Sequence, residues 1–236
     1  MDANIGISIR IAASKETIHI RKGLNKNMEF ISVVEIIGTV AFAVSGALTA
    51  IEKKLDYYGI VIFAIITSVG GGIVRDVLIG KNLPASLNNP VYMVIGIFSS
   101  ALVIVFYDKI IQLAKVLQLF DAIGLGAFTA IGAEVAIKNG LYQPFVIITL
   151  AVLTGTGGGV IRDVFAKRIP FVFREEVYAV ASIFGAILFI GIYKFVGNEA
   201  AVYACFALTL TIRLFCMKMN IHLSKVDKLF KLYKAA

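Results

Sequence analysis

Apolar residues along the chain fall into seven runs, at 30–51, 57–79, 90–107, 120–137, 144–166, 177–193 and 200–216. Each is close to the 17–25 residues that cross a hydrocarbon core as a helix. The chain has no Trp, and eight of its nine tyrosines, Tyr57, Tyr58, Tyr92, Tyr107, Tyr142, Tyr178, Tyr193 and Tyr203, fall at or near run ends. Such placement suits an interfacial aromatic belt. The pattern predicts an all-α membrane protein with seven transmembrane helices. Residues 1–28 are polar, mixed in charge and without the apolar core of a signal peptide. They read as a disordered or loosely amphipathic leader, and Met28 stands where a later start would fall.

The runs repeat. An offset of 86 places Glu35 and Gly38 on Asp121 and Gly124, Ala41 and Phe42 on Ala127 and Phe128, and Gly46 and Ala47 on Gly132 and Ala133. One further residue in the second copy sets GGGIVRD at 70–76 on GGGVIRD at 157–163, and Pro84 again faces Pro170 at the original offset. Each unit holds three spans, an odd number, so the second copy must insert upside down relative to the first, as in many transporters. The expected division is a leader over 1–28, a first three-span unit over 29–107, a linker over 108–119, a second unit over 120–193, a seventh helix over 200–216 and a basic tail over 217–236. That tail reads equally as a lipid-surface helix or as a plain solvated segment.

The glycine triplets are the least membrane-anchor-like feature. Each glycine costs a helix roughly 1 kcal/mol relative to alanine, and both triplets lie about 20 Å into their spans. Gly70, Gly71, Gly72, Gly157, Gly158 and Gly159 are therefore expected to mark broken or unwound turns that line a solute path. Carbonyls freed at a half-helix C-terminus would attract a cation, and the N–H groups of the next half could hold a carboxylate. Close helix packing through small residues is the competing account. Arg75, Asp76, Arg162 and Asp163 follow the triplets, where Arg and Asp each cost about 2.5–3.5 kcal/mol at the bilayer centre. Adjacent residues point about 100° apart on a helix and should pair poorly with each other. Two arrangements stay open: crossed pairing, with each Arg meeting an acid of the other repeat, or snorkelling of both Arg to the interface near Lys81 and Lys167 while each Asp bonds backbone. Glu35 and Asp121, near run starts, suit an interfacial role. Glu134 lies deeper and should pair with Lys138 one helical turn on. Small residues Ala122, Gly126 and Ala130, and Thr39, Ala43 and Ala47, form stripes suited to close helix contact.

Composition agrees with a membrane assignment: 236 residues, 59% hydrophobic and 16% charged, with a mean hydropathy of +0.88. A formal charge of +8 would raise nucleic acid as a partner in a soluble protein. Here the Lys and Arg lie between apolar runs and at the termini, so no nucleic-acid partner is expected. Outside the tails, Lys81, Lys138 and Lys194 lie on one side, against Lys53, Lys54, Lys109, Lys115, Lys167, Arg168 and Arg174 on the other, three against seven. The positive-inside rule then puts the C-terminus in the cytoplasm and the N-terminus outside, in a multi-pass protein of the cell membrane. Cys205 and Cys216 lie about 16 Å apart along one predicted helix, beyond disulfide reach. CxxC, HExxH and GxSxG are absent, and His19 and His222 lie in the tails, so neither a catalytic apparatus, a metal site nor a cofactor is expected.

Two copies of a three-span unit carrying GGGxxRD, plus a seventh span, resemble the bacterial relatives of the trimeric intracellular cation (TRIC) channels. The same duplicated unit is also labelled a glycine transporter domain. The likeness spans about residues 30–216, without the long leader. It implies a homotrimer in lipid, each protomer with its own pore for monovalent cations such as K⁺ and Na⁺, lined by helices 2 and 5 kinked at Gly70–Gly72 and Gly157–Gly159. A secondary transporter of a small amino acid such as glycine is the alternative on the same ground plan.

Overall fold

The computed structural model describes residues 33–109, 113–174 and 177–219. The leader, most of the basic tail, and His19 and His222 lie outside the described residues. Seven helices are long and apolar enough to cross a membrane: α1 Val33–Glu52, α2 Tyr57–Leu78, α3 Val91–Phe106, α4 Leu113–Lys138, α5 Pro144–Phe165, α6 Val177–Phe195 and α7 Asn198–Met219. No strand occurs among the described residues. α4 begins seven residues before the apolar run does, because the mixed segment Leu113–Leu119 continues the helix beyond the purely apolar stretch. Short helical turns at Ala85–Asn88 and Phe171–Arg174 precede α3 and α6. The start of α2 is fixed by Asp56, whose carboxylate accepts the Gly59 N–H at 2.7 Å. α5 opens on Pro144, which gives up no intrahelical hydrogen bond there.

Burial sorts the helices into layers. In α1 and α4, 67% and 72% of the spanning segment is buried, against 28% in α3 and α7. The inner pair carries the small-residue stripes: Thr39, Ala43, Ala47, Ala122 and Ala130 are all fully buried, and Gly126 admits the α7 backbone, with a Cβ there lying 3.2 Å from the Phe206 carbonyl oxygen. Within each repeat the three helices pack on one another, the repeats meet through α1–α4 and α2–α5, and α7 lies on α4 and α6. The inverted repeat is visible as exchanged contacts. Gly38 of α1 faces Ala127 and Phe128 of α4, while its counterpart Gly124 faces Phe42. The Phe42 and Phe128 rings lie 5.3 Å apart between centroids. Likewise Gly46 meets Phe63 and Thr67 of α2, and Gly132 meets Leu150 and Thr154 of α5. A pseudo-two-fold axis produces this reciprocity, as it does in a symmetric dimer.

The tyrosines divide. Tyr57, Tyr58, Tyr142 and Tyr203 are exposed as a belt requires, but Tyr92 and Tyr178 are buried. These two serve the charged assemblies described below, because a phenol at a helix start can reach inward to a carboxylate as readily as outward to lipid headgroups.

The helix ends of the two copies also correspond. α2 is followed by Gly80 with φ +74, whereas α5 is followed at the equivalent place by Lys167 with φ 54. A side chain in that left-handed region costs about 1–2 kcal/mol. Replacing Lys167 with Gly should therefore raise the midpoint of thermal unfolding of the detergent-solubilised protein, by an amount matching about 1 kcal/mol.

Candidate functional site

The two glycine triplets meet each other. α2 and α5 cross antiparallel, and Gly71 lies so close to the Thr154 carbonyl that a Cβ would be driven into it, while Gly158 stands in the same relation to the Thr67 carbonyl. A Cβ on Gly157 would sit 3.0 Å from Cα of Gly71. Gly70 packs under Ile161, and Gly159 faces Tyr178 and Asp121. Gly72 is open, its nearest foreign atom being Arg75 Nη2 at 3.7 Å from a built Cβ. Both helices remain α-helical through their triplets, so the expected unwound turns, with carbonyls freed by a break, are not there. The physical reason is packing. Removing the side chains lets two backbones touch at mid-membrane, and that gain offsets the propensity cost, as at other small-residue crossings.

Beyond the crossing, each helix carries its Arg-Asp pair toward opposite faces, about 6 Å from the contact on either side. The neighbours do pair: Arg75 Nε donates to Asp76 Oδ1 at 2.9 Å and Arg162 Nε to Asp163 Oδ1 at 2.9 Å. The long Arg stem bends back so that the near edge of the guanidinium reaches the next carboxylate. Snorkelling does not occur, since Arg75 and Arg162 are 3% and 0% exposed. Nor is the pairing crossed. The second acid on Arg162 is Asp121 of the same repeat, 2.6 Å from Nη1, and what reaches it from the first repeat is the Ser45 hydroxyl. Asp121 is fully buried rather than interfacial, because Arg162 draws it in.

The Asp residues have a second task, the backbone bonding expected of them in the snorkelling arrangement. Asp76 Oδ2 accepts the Ala85 N–H at 2.7 Å, and Asp163 Oδ2 accepts the Phe171 N–H at 3.0 Å. Each thereby holds the first residue of a short helical turn. Behind each Asp stands a second cation, Lys81 at 3.6 Å from Asp76 and Arg168 at 3.0 Å from Asp163. Each assembly then ends on an acid near a buried tyrosine. Tyr92 donates to Glu35 at 2.7 Å, and Tyr178 lies within hydrogen-bonding reach of Asp121. Seven residues that the sequence reading left outside the site thus belong to it: Glu35, Asp121, Tyr92, Tyr178, Lys81, Arg168 and Ser45. The offset of 86 relates Tyr92 to Tyr178 as it does Glu35 to Asp121, so all four could have been found by carrying the repeat past the prolines.

The second assembly is the larger. Arg168 also donates to Thr49 at 3.1 Å and Glu52 at 3.2 Å, tying the α5 end to α1. The guanidinium groups of Arg162, Arg168 and Arg174 lie 5.0, 5.5 and 5.9 Å from the Phe171 ring centroid, and Arg213 of α7 stacks 4.8 Å over Tyr178. A cavity of about 340 Å³ opens there between Glu52, Gln118, Arg168 and Arg174. On the other face, Glu134 pairs with Lys138 at 3.1 Å as its spacing requires, and accepts from Asn198 at 2.6 Å. Among the described residues, no group of three or more His, Cys, Asp or Glu could hold a metal ion.

This architecture is that of a duplicated, inverted-repeat membrane protein whose crossing helices carry buried ion pairs toward both faces. A family model described as Glycine transporter matches twice, over residues 32–108 and 118–194. The chain belongs to that family. It is 36% identical over 193 residues to the UPF0126 inner membrane protein YadS of Escherichia coli K12, covering 80% of this chain and 93% of that one. Among solved structures, the TRIC trimeric intracellular cation channel orthologue from Rhodobacter sphaeroides is 30% identical with a TM-score of 0.76, covering 80% of this chain and 97% of that one. A prokaryotic TRIC channel crystallised in 0.5 M KCl is 32% identical with a TM-score of 0.77, covering 82% and 98%.

Two consequences are measurable by thermal unfolding in detergent. Gly71→Ala should destabilise by about 1–3 kcal/mol through overpacking at the crossing, while Gly72→Ala should be neutral or stabilising by up to about 1 kcal/mol. Asp121→Ala, which leaves Arg162 with one acid fewer in a buried site, should cost about 3–5 kcal/mol.

Proposed function

We propose that the chain is a cation channel of the TRIC type, assembled as a homotrimer in the cell membrane, with a path for K⁺ and Na⁺ between α2 and α5 of each protomer. The observation that carries this reading is the match, at 30–32% identity and TM-scores of 0.76–0.77, to solved structures described as TRIC channels. The site supports it. The glycine contact at mid-membrane forms the narrow point, with Gly70–Gly72 and Gly157–Gly159 on its two walls, and conduction requires α2 and α5 to part there. Arg75 with Asp76, and Arg162 with Asp163, stand at the two approaches. Neither approach repels cations as a bare Arg would. Arg75 and Lys81 are balanced by Asp76 and Glu35, and Arg162 and Arg168 are each paired with acid, through Asp121, Asp163 and Glu52. Orientation follows from loop charge, with the N-terminus outside, the C-terminus in the cytoplasm and the larger assembly facing the cytoplasm.

The family's description favours a second reading, transport of glycine or a similar small amino acid. Recordings on the purified protein in planar bilayers under a KCl gradient separate the two. Unitary currents with a cation-selective reversal potential are expected, and Gly158→Ala should lower the unitary current strongly. Saturable glycine uptake into proteoliposomes without unitary currents would establish the transporter instead.

A further inference from the structure

α7 belongs to neither repeat, and it packs on α4 and α6, both of the second one. No described helix from outside the first repeat packs on both α1 and α3. The two charged assemblies are therefore framed unequally, and α7 brings the second a charge of its own. Arg213 stands six residues before the end of α7, where a long side chain can reach out to the interface. It turns inward instead. Arg213 is 2% exposed, and its guanidinium carbon lies 4.8 Å from the Tyr178 ring centroid. Tyr178 in turn lies against the second triplet, its hydroxyl 2.9 Å from the place of a Cβ on Gly159, and within hydrogen-bonding reach of Asp121. One phenol separates a guanidinium of the seventh helix from Gly159 of α5.

Covering the Tyr178 ring does not call for a charge. An apolar side chain of the same length would pack on it, whereas a guanidinium buried in a membrane span is costly and its stacking on an aromatic face recovers only part of that cost. What the guanidinium adds is one positive charge beside the second side of the glycine contact. At a separation of about 10 Å and an effective dielectric of about 20, one charge changes the local occupancy of a monovalent cation on the order of ten-fold. Burial limits the screening that salt gives an exposed charge. We propose that Arg213 is a permeation-determining residue: its fixed charge thins the cations on the second side of the contact, so that flow entering from that side is weaker than flow entering from the other. On the channel reading above, on which this rests, each protomer then rectifies, and α7 is the source.

Single-channel currents of the full-length protein in planar bilayers, with equal KCl on both sides, test this. At equal and opposite voltages wild type should pass unequal currents. Arg213→Met, which keeps the length and the apolar cover but removes the charge, should raise the smaller current at least about two-fold. Arg213→Lys, which keeps the charge and the stack, should retain the wild-type ratio. A ratio unchanged in Arg213→Met would overturn the proposal. So would Arg213→Lys behaving as Arg213→Met does, because packing rather than charge would then be at work. Thermal unfolding in detergent establishes that each variant folds. Should Arg213→Met fail to fold, Arg213→Gln makes the same comparison, and a linear wild-type curve overturns the proposal without any variant. Wild type that passes no current at all would instead defeat the channel reading, and this inference with it.

Discussion

Everything in this molecule is arranged about the place where two backbones touch. α2 and α5 approach so closely at Gly71 and Gly158 that a single added carbon on either would strike a carbonyl oxygen of the other helix. In hydrocarbon there is no solvent-driven collapse to hold helices together, so contact of this kind, made of dispersion and close-lying peptide groups, supplies much of what a water-filled environment supplies to soluble proteins. It also sets the geometry of the rest. Because the helices cross antiparallel at their triplets, the residues that follow each triplet are carried away from the contact in opposite directions, and the same sequence GGGxxRD builds two separate assemblies from one instruction.

Those assemblies obey a second constraint, that no charge may lie in the membrane interior alone. Each Arg meets its neighbouring Asp, and each Asp spends its other oxygen on the backbone of a short helical turn. The Asp is therefore at once a counter-ion and a cap, which is why an Arg-Asp pair, rather than an isolated Arg, follows both triplets. The aromatic ring of Phe171, under three guanidinium groups, completes the second assembly from the hydrophobic side.

How much of this the sequence disclosed depends on whether the signal is one-dimensional. Span length, the repeat and the Glu134–Lys138 pair are statements about spacing along the chain, and they were legible from the residues alone. The contact of the two triplets with each other was not, although close packing through small residues stood as the competing account. Helix propensity counts the penalty of three glycines but is blind to the partner helix, and the two halves of the contact lie 87 residues apart. The Arg-Asp neighbours were misjudged for a related reason: a helical wheel treats side chains as short spokes, whereas an Arg stem is long enough to fold back over its own helix. Asp121 looked interfacial because only its position was visible, not the guanidinium that draws it inward. Tyr92 and Tyr178 fitted an aromatic belt equally well by position, although their equivalence under the repeat already set them apart from the others.

Duplication leaves two copies free to drift, and here the drift is visible at the rims. Arg168 grips Thr49 and Glu52 at the end of α1. In the other copy Lys81 takes the place of Arg168, and the residue corresponding to Glu52 is Lys138, engaged with Glu134 on its own helix. One rim is clasped across the two copies by an ionic buckle, while its counterpart lacks the matching acid. A molecule whose halves share one blueprint thus joins its copies differently at its two faces: parting α1 from the end of α5 must break the Arg168 contacts to Thr49 and Glu52, whereas the place equivalent to Glu52 beside Lys81 carries a lysine.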